Sequence, residues 1–152
     1  MQTQNILVAT DFSEASDLSL RAAAMLAKQF QSKVTVVHVF DPAPLAPIAT
    51  RGLSGPDQLA DKERVEVAIH ERLDGIREEV FAEVPDVKVV LVMASSPAHA
   101  ICDYAAKEGV DLIVLSTHGR TGLDHLLIGS VAERVVRHAP CPVLTLRSKR
   151  SG

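Results

Sequence analysis

The sequence predicts a three-layer, doubly wound α/β domain built on a five-stranded parallel sheet. Three observations carry that expectation. Five short runs rich in Val, Ile and Leu recur along the chain, each too short for a helix and apolar on both faces, as strands covered from both sides are. A helical pattern separates each run from the next, and such strand–helix–strand crossovers close right-handed, with helices on the sheet faces. At 152 residues, 47% of them apolar, the chain can hold one domain with a real core and falls short of two.

The elements follow in order. "NILVAT" (5–10) opens as the first strand. Ser13 then stands as N-cap to a helix whose apolar stripe is Leu18, Ala22, Met25, Leu26 and Phe30. "KVTVVHVF" (33–40) is the second strand. "DPAPLAPIATRGLSGPD" (41–57) is the one long irregular segment, punctuated by Pro and Gly and expected to be mobile or a lid.

A second helix runs from about Asp57 to Phe81, with Leu59, Ile69, Leu73, Ile76 and Val80 on one face. The alternating charges from Asp61 to Arg72 read as its solvated side. "VKVVLVMA" (87–94) is the third strand, and Ser96-Pro97 supplies a cap and a first-turn proline for a third helix ending near Gly109. "DLIVLS" (111–116) is the fourth strand. The fourth helix begins at Gly129-Ser130, buries Val131 and Val135, and stops before Pro140. "PVLTL" (142–146) completes the sheet. Residues 1–148 form the domain, and 149–152 a short basic tail.

Composition narrows the function. One Tyr, four Phe and no Trp leave an aliphatic core and little to stack on nucleic-acid bases. A net charge of -3 gives no basic field for DNA or acidic membranes, so neither nucleic acid nor membrane insertion is expected. Cys102 and Cys141 fit no zinc or redox spacing and suit a reducing cytoplasm. "MQTQN" lacks the pattern of a signal peptide, and no apolar run reaches membrane-spanning length.

In an open α/β sheet a ligand sits beyond the carboxyl ends of strands, where the strand order reverses. Three such ends carry candidates: "ATDFS" (9–13), "HVFD" (38–41) and "STHGRTG" (116–122). Asp11 suits a ribose, a base or a metal, and equally suits capping the following helix. His118 suits a phosphate or ribose, or simple exposure to water. Arg120 is the better phosphate partner, because its forked guanidinium is permanently charged. Gly119 and Gly122 allow an anion nest or an ordinary turn. Gly129-Ser130 offers the free N–H groups of a helix start to a phosphate, with Ser130 also readable as an ordinary N-cap. No Walker lysine, G-x-S-x-G elbow or HExxH pair occurs.

"ILVATDFSEAS", "VTVVHV" and "DLIVLSTHGRTGLDHLLIGSVAERVVRHAPCPVLTLR" together resemble the universal stress protein family over essentially the whole chain. Many of its members bind ATP through G-x2-G-x9-G-[S/T]. Gly119, nine residues, Gly129 and Ser130 match the later part, while Ser116 occupies the first glycine position. A second departure is Ser95, where the family usually carries glycine.

The resemblance implies a Rossmann-like fold of the adenine nucleotide alpha hydrolase type. It implies ATP or a related adenine nucleotide, with Mg2+ or Mn2+, as ligand. Val39 would then meet the adenine through its main chain, and Ala9, Thr10 and Asp11 would line the adenosine. Ser116, Thr117, His118, Gly119, Arg120, Thr121 and Gly122 would wrap ribose and phosphates, with Gly129, Ser130, Val131 and Ala132 closing on the phosphates.

The resemblance also places the last strand at a sheet edge where members commonly form homodimers. A proline at Leu144 would disrupt that pairing if the donor it deletes faces the partner. The expected function is a stress-response regulatory module that binds nucleotide and biases an unidentified protein partner. A slow hydrolase or phosphotransferase, and a nucleotide-free dimeric adaptor, are the alternatives. The sequence supplies no supported catalytic base and no second carboxylate for a metal pair.

Overall fold

The strands form where two-sided apolar runs place them. In the computed structural model, which describes residues 3–43, 56–118 and 128–147, β1 is Asn5–Ala9, β2 Lys33–Phe40, β3 Val87–Met93, β4 Leu112–Ser116 and β5 Val143–Leu146. Between them lie α1 (Glu14–Phe30), α2 (Pro56–Val80), α3 (Pro97–Lys107) and α4 (Ser130–His138). All pairings are parallel, in the order β3-β2-β1-β4-β5. The chain therefore winds outward from β1 to β3, crosses back, and continues from β4 to β5 at the opposite edge. Most of the irregular segment expected over 41–57, and the basic tail, lie outside the described residues.

Strand alternation divides the core into two clusters. Ile6, Val8, Val34 and Val36 point toward α1 and α2, where Leu20, Leu73 and Phe81 meet them. Leu7, Val37, Ile113 and Leu115 point toward α3 and α4, meeting Ile101 and Val135. Phe81 apart, these fully covered side chains are aliphatic, each contributing about 1.5–3 kcal/mol by leaving water. On α2 four of the five expected residues hold: Ile69 and Leu73 are buried, with Ile76 and Val80 packed beside them, while the Leu59 side chain lies outside the described ones.

The stripe expected on α1 holds only in part: Leu26 packs against the core and Ala22 is half-buried, but the larger members are exposed. Leu18, Met25 and Phe30 are 39%, 65% and 54% exposed, and the buried face is Ser16, Ser19, Leu20, Ala23, Ala24 and Ala27. Apolar size misleads here, because small residues at the contact let a helix axis lie close to the sheet. Ser13 does cap α1, its hydroxyl accepting from the Ser16 N–H at 3.3 Å. The Ser19 hydroxyl, on the buried face, has no hydrogen-bond partner among the described residues, which costs about 1–3 kcal/mol.

Helix ends follow local chemistry. The N–H of Val110 donates to the Ala105 carbonyl around Gly109 at φ 62°, a Schellman stop for α3. Ser32 and Ala27 make the same closure on α1, with Gln31 at φ 53°. Pro97 is the first residue of α3, as expected, but the Ser96 side chain makes no capping bond. On α4 two expectations fail. The cap is Gly129, making Ser130 the first helical residue, and Val131 is 37% exposed while Ala132 and Val135 are buried.

The start of the sheet is stapled by Asp111. Its Oδ2 accepts from the N–H groups of Gln4 and Asn5, each at 2.9 Å, and its own N–H donates to the Asn5 carbonyl. That fixes β1 against β4, the pair whose far ends open onto the site below. Cys102 and Cys141 are free thiols on the α3–α4 side, and burial pushes both upward in pKa, away from the reactive thiolate. No helix among the described residues is long and apolar enough to cross a membrane.

Candidate functional site

The order reverses between β1 and β4, and the carboxyl ends of these neighbours border a cleft of about 300 Å³. Its strand-side wall is apolar, made by Ala9, Val37, Val39 and Leu115. Pro97 and Ile101 of α3 close one flank, one helical turn apart. Polar groups gather at the mouth: Thr10 and Asp11 after β1, Ser16 on α1, Ser116, Thr117 and His118 after β4, and the start of α4.

The β1 turn is held by hydroxyls. Asp11 Oδ1 accepts from the Ser13 N–H at 3.0 Å and from the Ser13 hydroxyl at 2.5 Å. Asp11 therefore braces the capping residue Ser13 without capping α1 itself, and its carboxylate also lines the cleft. The Ser16 hydroxyl donates to the Ser13 carbonyl at 2.8 Å. Its single proton being used there, it accepts from Thr10 Oγ1 at 3.0 Å. Thr10 Oγ1 in turn accepts from the Phe12 N–H at 3.1 Å.

The β4 turn is equally fixed. The Ser116 hydroxyl donates to the His118 carbonyl at 2.7 Å, which closes the turn and commits that proton within the protein. His118 is half-buried, its Nδ1 paired with Thr117 Oγ1 at 2.9 Å, and so is not simply a solvated loop histidine. The Thr117 N–H donates to the Leu146 carbonyl, tying the turn to β5.

The β4 turn meets α4 at Gly129. Its N–H donates to the Thr117 carbonyl at 2.5 Å. A Cβ there would lie 2.8 Å from the same carbonyl oxygen, a separation that real Cβ atoms do not show. Only glycine lets the helix start this close to β4. The first bond inside the helix runs from the Glu133 N–H to the Gly129 carbonyl, so the N–H groups of Ser130, Val131 and Ala132 have no acceptor within α4. They supply donors and the positive end of the helix dipole at the cleft mouth.

The structure therefore brings Ala9, Thr10, Asp11, Val39, Ser116, Thr117, His118, Gly129, Ser130, Val131 and Ala132 around one cleft. Gly119, Arg120, Thr121 and Gly122 lie outside the described residues. Ser16, Val37, Pro97, Ile101 and Leu115 also line it and were not singled out from sequence. Val37 carried a usable signal, standing two residues before Val39 on the same strand face. An apolar slot opening onto helix-start donors suits a ligand with a flat apolar part and an anionic part. None of the described lining residues is Phe, Tyr or Trp, so that flat part would be held chiefly by aliphatic contact.

Comparison with known proteins agrees with this architecture. Residues 2–147 match the universal stress protein family. Universal stress protein MJ0531 of Methanocaldococcus jannaschii is 33% identical over 148 residues, covering 97% of this chain and 84% of the relative. The solved structure of MJ0577, from the same organism, superposes with a TM-score of 0.84 at 28% identity, covering 99% of this chain and 100% of that one. A universal stress protein of Archaeoglobus fulgidus, solved in complex with dAMP, gives 0.64 at 25% identity, covering 95% and 98%. A match over nearly every residue, joined to the same α/β architecture, establishes that the chain belongs to the universal stress protein family.

Proposed function

We propose that the cleft binds ATP or a related adenine nucleotide, and that the protein is a cytoplasmic regulatory module whose ligand state biases a protein partner. The observation that carries this reading is the junction at Gly129, where helix N–H groups with no acceptor inside α4 lie at an apolar slot. The dAMP complex of the Archaeoglobus fulgidus relative supports an adenine nucleotide as the class. Base and ribose would lie against Val37, Val39 and Ala9, beside Thr10 and Asp11. Phosphates would lie at Ser130, Val131 and Ala132, with Ser116 to Gly122 wrapped around them. A homodimer through β5 belongs to the same reading, because that edge is short, apolar and, among the described residues, pairs with no further strand.

Mg2+ or Mn2+ does not fit a cage made by the described residues, among which no three His, Cys, Asp or Glu side chains converge. Either ion would arrive on the phosphate oxygens, and no step is assigned to it. Binding rather than turnover is favoured because Asp11, the one carboxylate among the described lining residues, is engaged with Ser13.

Protein purified from cells and denatured should release about one equivalent of ATP, read by mass spectrometry. Release of ADP would favour turnover, and release of no nucleotide the adaptor. Arg120→Ala should weaken ATP by about ten- to a hundredfold and adenosine much less, the worth of one charge-assisted hydrogen bond to phosphate. Equal losses for both ligands in calorimetry would remove Arg120 from the phosphate site.

A further inference from the structure

Behind the Thr10–Asp11 wall, on the other face of the sheet, lies a cluster the cleft does not use. Phe12 packs with the α1–α2 core and holds φ at 64°, a left-handed conformation that a bulky aromatic residue keeps only when its surroundings enforce it. Two planar groups stack on its ring. The His38 ring lies 4.4 Å away between centroids, tilted by 35°, and the Arg72 guanidinium carbon sits 4.1 Å from the ring centre.

His38 also grips the wall itself. Its Nδ1 lies 2.8 Å from the Thr10 carbonyl, and since a carbonyl can only accept, that nitrogen carries the proton. The Thr10 N–H donates to the Val37 carbonyl at 3.0 Å. Both polar backbone groups of Thr10 are thus tied to β2, one of them through an imidazole stacked on Phe12. Arg72 would be one more solvated charge on the outer side of α2, yet its guanidinium carbon sits over this ring, a use that lysine serves poorly.

We propose that Arg72, Phe12 and His38 form a positioning unit, which fixes the Thr10–Asp11 wall from the opposite face of the sheet and couples ligand affinity in the cleft to α2. The stack adds to the hydrogen bond from the Phe12 N–H to Thr10 Oγ1 in offsetting the strain at Phe12, and without it that bond is left to hold the turn. The Phe12 φ then relaxes to negative values, the peptide joining it to Asp11 rotates, and the carboxylate and the Ser13 cap move with it. The coupling to ligand rests on the nucleotide reading above; the positioning of the wall does not.

The test therefore has two readouts, amide hydrogen exchange without ligand and ATP affinity by calorimetry. Arg72→Ala should speed exchange at the Thr10 amide by about tenfold and weaken ATP by about the same factor, although Arg72 is not among the described cleft-lining residues. Amides of β2 and β3 should keep their wild-type rates. Phe12→Asn, which tolerates a left-handed φ but has no ring, should reproduce both losses, and Phe12→Tyr should restore both. Unchanged Thr10 exchange in Arg72→Ala and Phe12→Asn would overturn the positioning unit whether or not ATP binds. A uniform rise across the sheet would also overturn it, since that reports general destabilisation. Faster exchange with full ATP affinity would overturn the coupling. Faster exchange in a protein whose wild type takes no ATP would overturn the nucleotide reading and leave the positioning unit standing.

Discussion

Replacing Gly129 with aspartate is expected to abolish ATP binding, and replacing it with alanine to weaken binding by about tenfold. The alanine effect is steric. Its methyl group would fall 2.8 Å from the Thr117 carbonyl oxygen, so either the start of α4 or the end of β4 must move. Such overpacking costs about 1–3 kcal/mol, and it displaces the N–H groups of Ser130 to Ala132 from the phosphates.

Aspartate adds charge to the same displacement. A carboxylate about 4 Å from a phosphate, at the effective dielectric of a protein surface, repels it by about 4 kcal/mol, or nearly a thousandfold in affinity. Aspartate is also a favoured N-cap, so α4 should survive and circular dichroism should stay helical. Loss of binding without loss of helix is the expected pair of results. Undiminished affinity by calorimetry in both variants would remove this junction from the site.

How far the sequence could be read depends on whether the physical cause is local. The strands were legible to within a residue or so, because burial on both faces makes the pattern contiguous. The first helix was not. Leu18, Met25 and Phe30 form a convincing apolar stripe, but the sheet selected the Ala and Ser face, and residue size does not report which face lies closest. Strand order was equally hidden, since right-handed crossovers limit the arrangements without choosing one.

For the cleft, the resemblance supplied loop and helix-start residues, and the described ones do line a single cavity. Val37, Ile101 and Leu115 escaped notice because lining residues contributed by strand and helix interiors look like core. The need for glycine at 129 is a contact with Thr117, twelve positions away, that no local pattern announces. Phe12 and Arg72 are further apart still, and only the fold reveals that an apparently solvated arginine lies on a strained phenylalanine.

The open edge of β5 yields the second large effect. Thr145→Pro is expected to convert the proposed homodimer into a folded monomer, whereas Leu144→Pro, the variant that sequence alone suggested, should damage the fold instead. The difference is set by which backbone groups already have partners. The Pro142 carbonyl accepts from the Ile113 N–H at 3.0 Å, and the Leu146 carbonyl accepts from the Thr117 N–H at 2.8 Å. With the two-residue period of a strand, Leu144 shares their orientation, so its N–H and C=O face β4 within the sheet.

Proline at 144 therefore deletes a bond inside the ladder, at a site where Leu144 also packs on the α1–α2 cluster, and should cost about 3 kcal/mol or more. Val143 and Thr145 point their backbone groups the other way, toward the open edge. Proline is tolerated where its missing N–H would have faced solvent, and the extended residue before it already has the backbone it demands. In an isologous edge-to-edge pairing each Thr145→Pro subunit loses the same outward donor, so one substitution strikes the interface twice. Light scattering should report the monomer mass for Thr145→Pro with an unchanged circular dichroism spectrum and a melting temperature lowered by the lost association, and ATP affinity should persist because β1, β4 and α4 carry the cleft. A folded Thr145→Pro protein that remains dimeric would move the interface away from β5, to the exposed apolar residues of α1 or to another surface.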